Sequence, residues 1–388
     1  MFGSLSLAKS FVPATTHLSR QQVNVFKGTR ISKFRFFAAA VTSNGNNSCR
    51  EEIIQKLGVE PTVSQALQSA VALLEEKNAP EPLSSSCHLL SFALKNEFKW
   101  EDNGFAKLLN IYDDPSSNQS LSETALTGDE QLLFADMVQR RINQEPLQYI
   151  IGKWDFHDIV LNIRPPCLCP RPETEELVEY AMKDIHRMKT ILKGMKCDRK
   201  IRVLDVGSGT GCIGIALANA FPNDVEVDAI DVREEAIDLS KENAKIVLGT
   251  DQTCYNGPLM CPASKYTNKG EATQKYNFQY DIVVSNPPYI PKKDMDTLSS
   301  DVIDFEDYNA LCGGDDGLDV VRNILDQLPE WCKSDNERFF RPTCWMEVDT
   351  SHPILLENNL DEYAKLEFIE RKKDFGGLDR FVKIDVKV

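Results

Sequence analysis

The chain has 388 residues, of which 42% are hydrophobic, and a formal charge of −15. That length admits two or three domains, and the apolar share suffices for packed cores. No apolar run reaches the length of a membrane-spanning helix, and so acidic a chain is a poor non-specific ligand for nucleic-acid phosphates.

Residues 1–50 stand apart. They hold Lys9, Arg20, Lys27, Arg30, Lys33, Arg35 and Arg50, no acidic residue, and frequent Ser and Thr. This is the composition of an organelle transit peptide, not of a folded domain, so 1–50 reads as transit peptide and disordered leader. Arg35-Phe36-Phe37-Ala38 looks like a mitochondrial presequence cleavage site. Removing residues 1–37 takes away six positive charges, so that −15 becomes −21. The expected address is the mitochondrial matrix, with the chloroplast as the alternative.

Residues 51–145 read as a small helical domain. Val63, Leu67, Ala70, Val71 and Leu74 recur at helical spacing. Further helices are expected over Pro82–Leu94 and over Asp129–Ile142, the latter with Leu132, Ala135, Val138 and Ile142 on one face. Asp113 to Asn118 is a polar loop. Residues 146–170 alternate in polarity and contain Gly152 and Pro165-Pro166, which suits a linking β-hairpin. From 171 to 388 the pattern is α/β, beginning with a helix over Glu173–Met188.

Ile201 to Val206 is a β-branched apolar run, followed at once by Gly207-Ser208-Gly209-Thr210-Gly211 and then by a helical stretch from Cys212 to Phe221. Strand, glycine turn and helix together are the context of a cofactor loop. The glycines permit positive φ and close approach of a ligand, and the helix start offers free N–H groups. A second strand, Val225–Asp231, ends in a carboxylate about twenty residues after the loop, where it can accept both hydroxyls of an adenosine ribose. A helix from Arg233 to Val247 follows. The loop lacks the spaced Gly-x-Gly-x-x-Gly of dinucleotide binders.

Tyr280 to Ser285 reads as a buried strand that runs into Asn286-Pro287-Pro288-Tyr289. The prolines end the strand and stiffen the chain. They hold an amide and an aromatic ring at a strand's carboxyl end, where open α/β sheets bind ligands. The Asn286 side-chain oxygen and a nearby backbone carbonyl can accept hydrogen bonds from one planar NH2 group, while the Tyr289 ring can stack on its face. Beyond this motif, a helix is expected near Gly317–Trp331 and a strand at Thr343–Val348. A helix after His352 and strands near Leu366–Arg371 and Arg380–Val386 complete the pattern. Residues 249–279 are polar and irregular, and no third strand or adenine-contacting residue is assigned there. Eleven cysteines without a C-x-x-C pair, and scattered histidines, suggest reduced, buried thiols and no metal site.

Asp205-Val206-Gly207-Ser208-Gly209-Thr210-Gly211 resembles the first motif of class I S-adenosylmethionine-dependent methyltransferases, and Asn-Pro-Pro-Tyr the fourth motif of members that methylate amino groups. Further stretches narrow the resemblance: Gln144 to Gly152, Pro170-Arg171-Pro172-Glu173-Thr174-Glu175 with Glu176 to Val178, Phe305-Glu306-Asp307 with Ala310-Leu311, and Asp374-Phe375-Gly376 with Arg380. Together they look like the HemK/PrmC glutamine methyltransferases of translation release factors. Met346-Glu347-Val348-Asp349, the Phe-Gly region and the basic leader look most like the mitochondrial branch.

The resemblance implies a Rossmann-like seven-stranded sheet behind a helical substrate-recognition domain. It also implies methylation of the glutamine amide in the Gly-Gly-Gln motif of class I release factors, by a monomer that binds neither nucleic acid nor membrane. Gly207, Ser208, Gly209, Thr210, Gly211, Asp231 and Asn286 would hold S-adenosylmethionine. Asn286, Pro287, Pro288 and Tyr289 would hold the substrate amide, with Asn286, Pro287 and Tyr289 catalytic. Pro170 and Thr174 would lie near the methionine end. An amide nitrogen is a poor nucleophile and the motif offers no strong base, so positioning would carry the catalysis. Two rivals remain at this stage. A DNA adenine-amine methyltransferase would need a basic face and base flipping. A non-catalytic binding module would be expected to show damage in the glycine loop or at Asn286, and both are intact.

Overall fold

Two capping boxes set helix starts in the N-terminal region. Thr62 Oγ1 accepts from the Gln65 N–H at 3.3 Å, and Gln65 Oε1 accepts from the Thr62 N–H at 3.0 Å. Thr127 and Glu130 repeat the exchange at 3.3 and 2.7 Å. Each box satisfies two backbone donors that a helix start otherwise leaves unpaired. The computed structural model describes residues 47–95, 103–250, 254–260, 279–332 and 339–387. In it, α1 (Asn47–Leu57), α2 (Val63–Glu76), α3 (Pro82–Lys95), α4 (Gly104–Asp113) and α5 (Gly128–Ile142) form the helical part. Helix α1 starts inside the expected leader, and residues 1–46, with the cleavage site, lie outside the described residues.

Leu67, Leu74, Leu89, Leu90, Ile111 and Phe134 share one core. The sequence reading assigns no helix between Leu94 and Asp113, yet α4 buries Leu108 and Ile111 there. On helix α5 the expected face is inward at Ala135 and Val138, which are buried, and at Ile142, which packs on the core, but Leu132 is 43% exposed, and Phe134, Met137 and Arg141 are buried as well. An apolar count would not place Arg141 inside. Its guanidinium is accommodated because it donates to Ser85 Oγ (3.1 Å), Glu145 O (2.9 Å) and Pro80 O (3.2 Å).

The link over 146–170 is a hairpin only in part. Leu147–Ile151 is a short helix that joins the helical core through Leu147, Ile150 and Ile151, and it stops at Gly152, where φ is +74°. The hairpin proper is β1 (Lys153–Phe156) with β2 (Ile159–Asn162). Helix α6 (Pro172–Gly194) runs past the expected Met188 because Leu192 still reaches the core.

The sheet contains β3 (Ile201–Val206), β4 (Val225–Asp231), β5 (Tyr255–Met260), β6 (Ile282–Ser285), β7 (Thr343–Glu347), β8 (Leu366–Lys373) and β9 (Asp379–Val386). Their order is β5-β4-β3-β6-β7-β9-β8, parallel except for β9, which is antiparallel to both neighbours. This is the expected seven-stranded class I methyltransferase arrangement. Alternate strand residues face opposite layers. Val203, Val227, Ile282 and Val284 pack with α6, α7 (Cys212–Ala220) and α8 (Glu234–Leu248). Leu204, Val206, Val283 and Met346 pack with α9 (Asp319–Trp331) and α10 (His352–Asn359).

Strand β5 supplies the strand that the sequence reading leaves unassigned in 249–279. Asn256-Gly257-Pro258 reads as a turn, but β5 lies at the sheet edge, where a proline without an N–H is tolerated. Residues 251–253 and 261–278 lie outside the described residues. The described cysteines are free thiols, most of them buried.

Candidate active site

The chain turns from β3 to β4 on one side of the sheet and reaches β6 on the other. Between β3 and β6 the strand order reverses, and a crevice opens beyond the carboxyl ends. Val206 pairs with Ser285, so Gly207 and Asn286 leave adjacent strands side by side. Ser285 Oγ donates to Val206 O at 2.7 Å and fastens the two ends together. A cavity of about 470 Å³ lies here, lined by Gly207 to Thr210, Asp231, Asn286, Pro287 and Pro288, with Pro170, Arg171 and Thr174 on one wall and Asp307, Asn309 and Ala310 on another. The four sequence-distant motifs therefore meet around one hollow.

The glycine loop adopts the conformation its composition predicts. Gly207, Gly209 and Gly211 have φ of +72°, +54° and +83°, where any other residue would be strained. Asp231 closes the loop from below: its Oδ2 accepts from the Gly209 N–H at 2.8 Å and its Oδ1 from the Arg233 N–H at 2.9 Å. Burial pushes its carboxyl above the usual carboxylate range, against the pull of those N–H groups. Asn243 of α8 holds the loop from the side. Its Nδ2 donates to Thr210 O at 2.9 Å and to Asn162 O at 3.0 Å, which also moors the hairpin. Asp205, fully buried under the loop, accepts from the Gly214 N–H at 2.9 Å, and burial pushes its carboxyl up to about 7.

On the β6 side, Asn286 donates through Nδ2 to Thr174 Oγ1 at 3.0 Å. Thr174 Oγ1 donates to Glu347 Oε2 at 2.7 Å, and the Tyr289 hydroxyl donates to Glu347 Oε1 at 3.1 Å. Burial raises the Glu347 carboxyl, while Thr174, Arg380 and Tyr289 pull it back down. Tyr289 does not line the described cavity. Its hydroxyl faces Glu347 instead. The wall facing the glycine loop is braced by Glu306, which accepts from Arg171 Nη2 at 2.5 Å and from the Cys169 N–H at 3.2 Å.

Of the residues singled out in the sequence, Gly207 to Thr210, Asp231, Thr174, Pro170 and Asn286 to Pro288 line one hollow, whereas Gly211 and Tyr289 do not. The sequence reading missed the Glu347 and Thr174 bonds, whose partners stand 173 residues apart, and the closely packed glycines behind the proline pair. A Cβ on Gly313 would fall 2.6 Å from Pro288 O, and one on Gly317 2.3 Å from Tyr289 O. Gly317 also has φ of +82°. A Gly-Gly-x-x-Gly stretch before a helix is the one local hint of this contact.

Residues 187–304 match the family model of the methyltransferase small domain, and residues 116–152 that of the PrmC N-terminal domain. The human protein named MTRF1L release factor glutamine methyltransferase is 33% identical over 263 residues, which cover 67% of this chain and 72% of its own. A release factor glutamine methyltransferase of Bacillus cereus is 33% identical over 269 residues, or 69% and 81% of the two chains. This chain belongs to the release factor glutamine methyltransferase family. A third member, from Clostridium acetobutylicum, is 30% identical over 322 residues and is covered over 97% of its length.

The family's cofactor is S-adenosylmethionine, and the hollow fits it. Three left-handed glycines open the loop, Asp231 stands at its floor, and Ser208 Oγ is buried at the cavity without a partner among the described residues. Asp231→Ala is expected to weaken S-adenosylmethionine binding by about 1–3 kcal/mol, the cost of leaving a buried hydrogen-bonding group without its partner. The variant also releases the Gly209 and Arg233 N–H groups, so Asp231→Asn, which keeps one acceptor, should lose less. Calorimetry on folded variants checks this, and unchanged affinity in Asp231→Ala removes Asp231 from the cofactor site.

Proposed function

We propose that this protein transfers a methyl group to the side-chain amide nitrogen of the glutamine in the Gly-Gly-Gln motif of organellar class I release factors. S-adenosylmethionine supplies the activated methyl on its sulfonium. Asn286 Oδ1 and the Pro287 carbonyl accept the two amide hydrogens and present the nitrogen in one orientation. As the nitrogen gains positive charge, the same two oxygens stabilise it. Gly207 to Gly211 and Asp231 hold the cofactor. Tyr289, expected to be catalytic and to pack on the substrate amide, is instead a positioning residue that acts through its hydroxyl on Glu347. Residues 51–145 recognise the substrate protein, and residues 171–388 form the methyltransferase domain.

One observation carries the reading. The Asn286 amide nitrogen is already committed to Thr174, at the mouth of a hollow that begins at the glycine loop. The amide oxygen is then the end left for a donor, as an NH2 substrate requires. Incubation with labelled S-adenosylmethionine and purified class I release factors, followed by mass mapping, tests it. Label on the Gly-Gly-Gln glutamine is expected. Label elsewhere, or none, refutes it.

The proposed site of action is the mitochondrial matrix, on the basis of the acid-free, basic composition of residues 1–50. Residues 1–45 fused to a fluorescent reporter should enter mitochondria. Plastid or evenly cytosolic fluorescence would overturn the address without touching the chemistry.

A further inference from the structure

A buried carboxylate stands behind Asn286 without touching the cavity. Glu347 ends β7, one strand over from β6, and the pairing of Ser285 with Met346 brings it level with Asn286. It is 1% exposed, and both its oxygens are engaged, Oε2 by the Thr174 hydroxyl and Oε1 by the Tyr289 hydroxyl. Thr174 sits in the first turn of α6, also 1% exposed. The Arg380 guanidinium lies close enough to favour the charged carboxylate, and is itself held by Asp374 at 2.8 Å.

With Glu347 ionised, the form that the two hydroxyl donors and Arg380 favour against burial, the direction of donation in this chain follows. An ionised carboxylate only accepts. Thr174 has one hydroxyl hydrogen, and Glu347 takes it. What Thr174 then offers Asn286 is a lone pair, which an NH2 group satisfies and a carbonyl oxygen does not. The amide of Asn286 is thus prevented from turning over, which would point its NH2 group at the substrate's NH2 group. Without the relay, either end of the Asn286 amide could face the hollow.

We infer that Glu347, acting through Thr174, is a positioning residue that fixes which end of the Asn286 amide meets the substrate nitrogen. The inference rests on the amide-clamp reading above and assigns it a support that no local motif contains. Thr174 and Glu347 act only through Asn286 in this scheme, so removing the hydroxyl should matter only while Asn286 is present.

A double-mutant cycle reads this directly. Wild type, Thr174→Ser, Thr174→Val, Asn286→Ala and Thr174→Val/Asn286→Ala are assayed for kcat on a class I release factor, and for S-adenosylmethionine affinity by calorimetry. Thr174→Val is expected to lower kcat by roughly 10–10²-fold, the scale of a misplaced reacting group. Thr174→Ser should stay within about threefold of wild type, and the cofactor Kd should move less than about threefold in either. In the Asn286→Ala background, Thr174→Val should cost nothing further. If Thr174→Val does not fold, Glu347→Gln takes its place. That variant keeps the shape but turns an N–H donor toward one of the two hydroxyls, and it should show the same non-additivity. An unchanged kcat in Thr174→Val, or an equal loss in both backgrounds, would overturn the relay and leave the clamp standing. A wild-type rate in Asn286→Ala would remove the clamp itself, and the relay with it.

Discussion

Asn286→Ala lowers kcat on a release factor by roughly 10²–10³, the expected cost of one preorganised polar group in a transition state. The variant keeps the glycine loop, Asp231 and the proline pair, so S-adenosylmethionine affinity should fall much less. The loss has two parts. The substrate NH2 group keeps only the Pro287 carbonyl and can rotate about that bond. The nitrogen's developing charge also loses one of its two dipoles. Asn286→Asp should recover little. A carboxylate restores an acceptor, but it cannot donate to Thr174, whose single hydroxyl hydrogen already serves Glu347 at 2.7 Å. The substituted carboxylate would therefore set a charge against an oxygen lone pair, with the Glu347 carboxylate behind it. Single-turnover kinetics with labelled cofactor measure these rates. Near wild-type methylation by Asn286→Ala would show that the nitrogen is oriented by something else.

Gly317→Ala should be the most damaging glycine change near the site. The residue has φ of +82°, which costs a non-glycine residue about 1–2 kcal/mol. A Cβ there would also lie 2.3 Å from Tyr289 O and 2.8 Å from His352 Cε1. A backbone oxygen cannot swing aside like a side-chain tip, so either the Asn-Pro-Pro-Tyr segment moves or the packing loosens, for about 1–3 kcal/mol more. Gly377→Ala provides the control, because its φ is +84° but nothing lies within 4 Å of the added carbon. Thermal unfolding should therefore separate the two variants, and Gly317→Ala should also lose activity below its unfolding temperature. Equal melting temperatures would mean that the contact with Tyr289 O is not restrictive.

The glycine-loop half of the site was legible because its signals are local. Gly207 to Gly211 sit between a strand and a helix, and Asp231 closes the next strand. Backbone requirements of this kind are written into consecutive residues. Asn286 and the prolines were legible for the same reason, since the motif ends its own strand. Helix α2 showed its buried face through spacing alone. Three other features did not show themselves in this way. Arg141 is buried because Ser85, Pro80 and Glu145 supply acceptors from other elements. Strand β5 contains a glycine and a proline that argue against a strand until its edge position is known. The role of Tyr289 was expected from its ring, yet its hydroxyl finds Glu347.

The sequence by itself thus determined the fold class, the glycine loop, the carboxylate that ends β4 and the amide at the end of β6. Only the tertiary structure decided which way that amide turns, and why Gly313 and Gly317 stand behind it. The reason is physical. Backbone conformation and hydrophobic period depend on neighbours along the chain, whereas the polarity of a hydrogen-bond chain depends on every member. Here Asn286, Thr174 and Glu347 come from three elements that meet only when β6, β7 and α6 pack together.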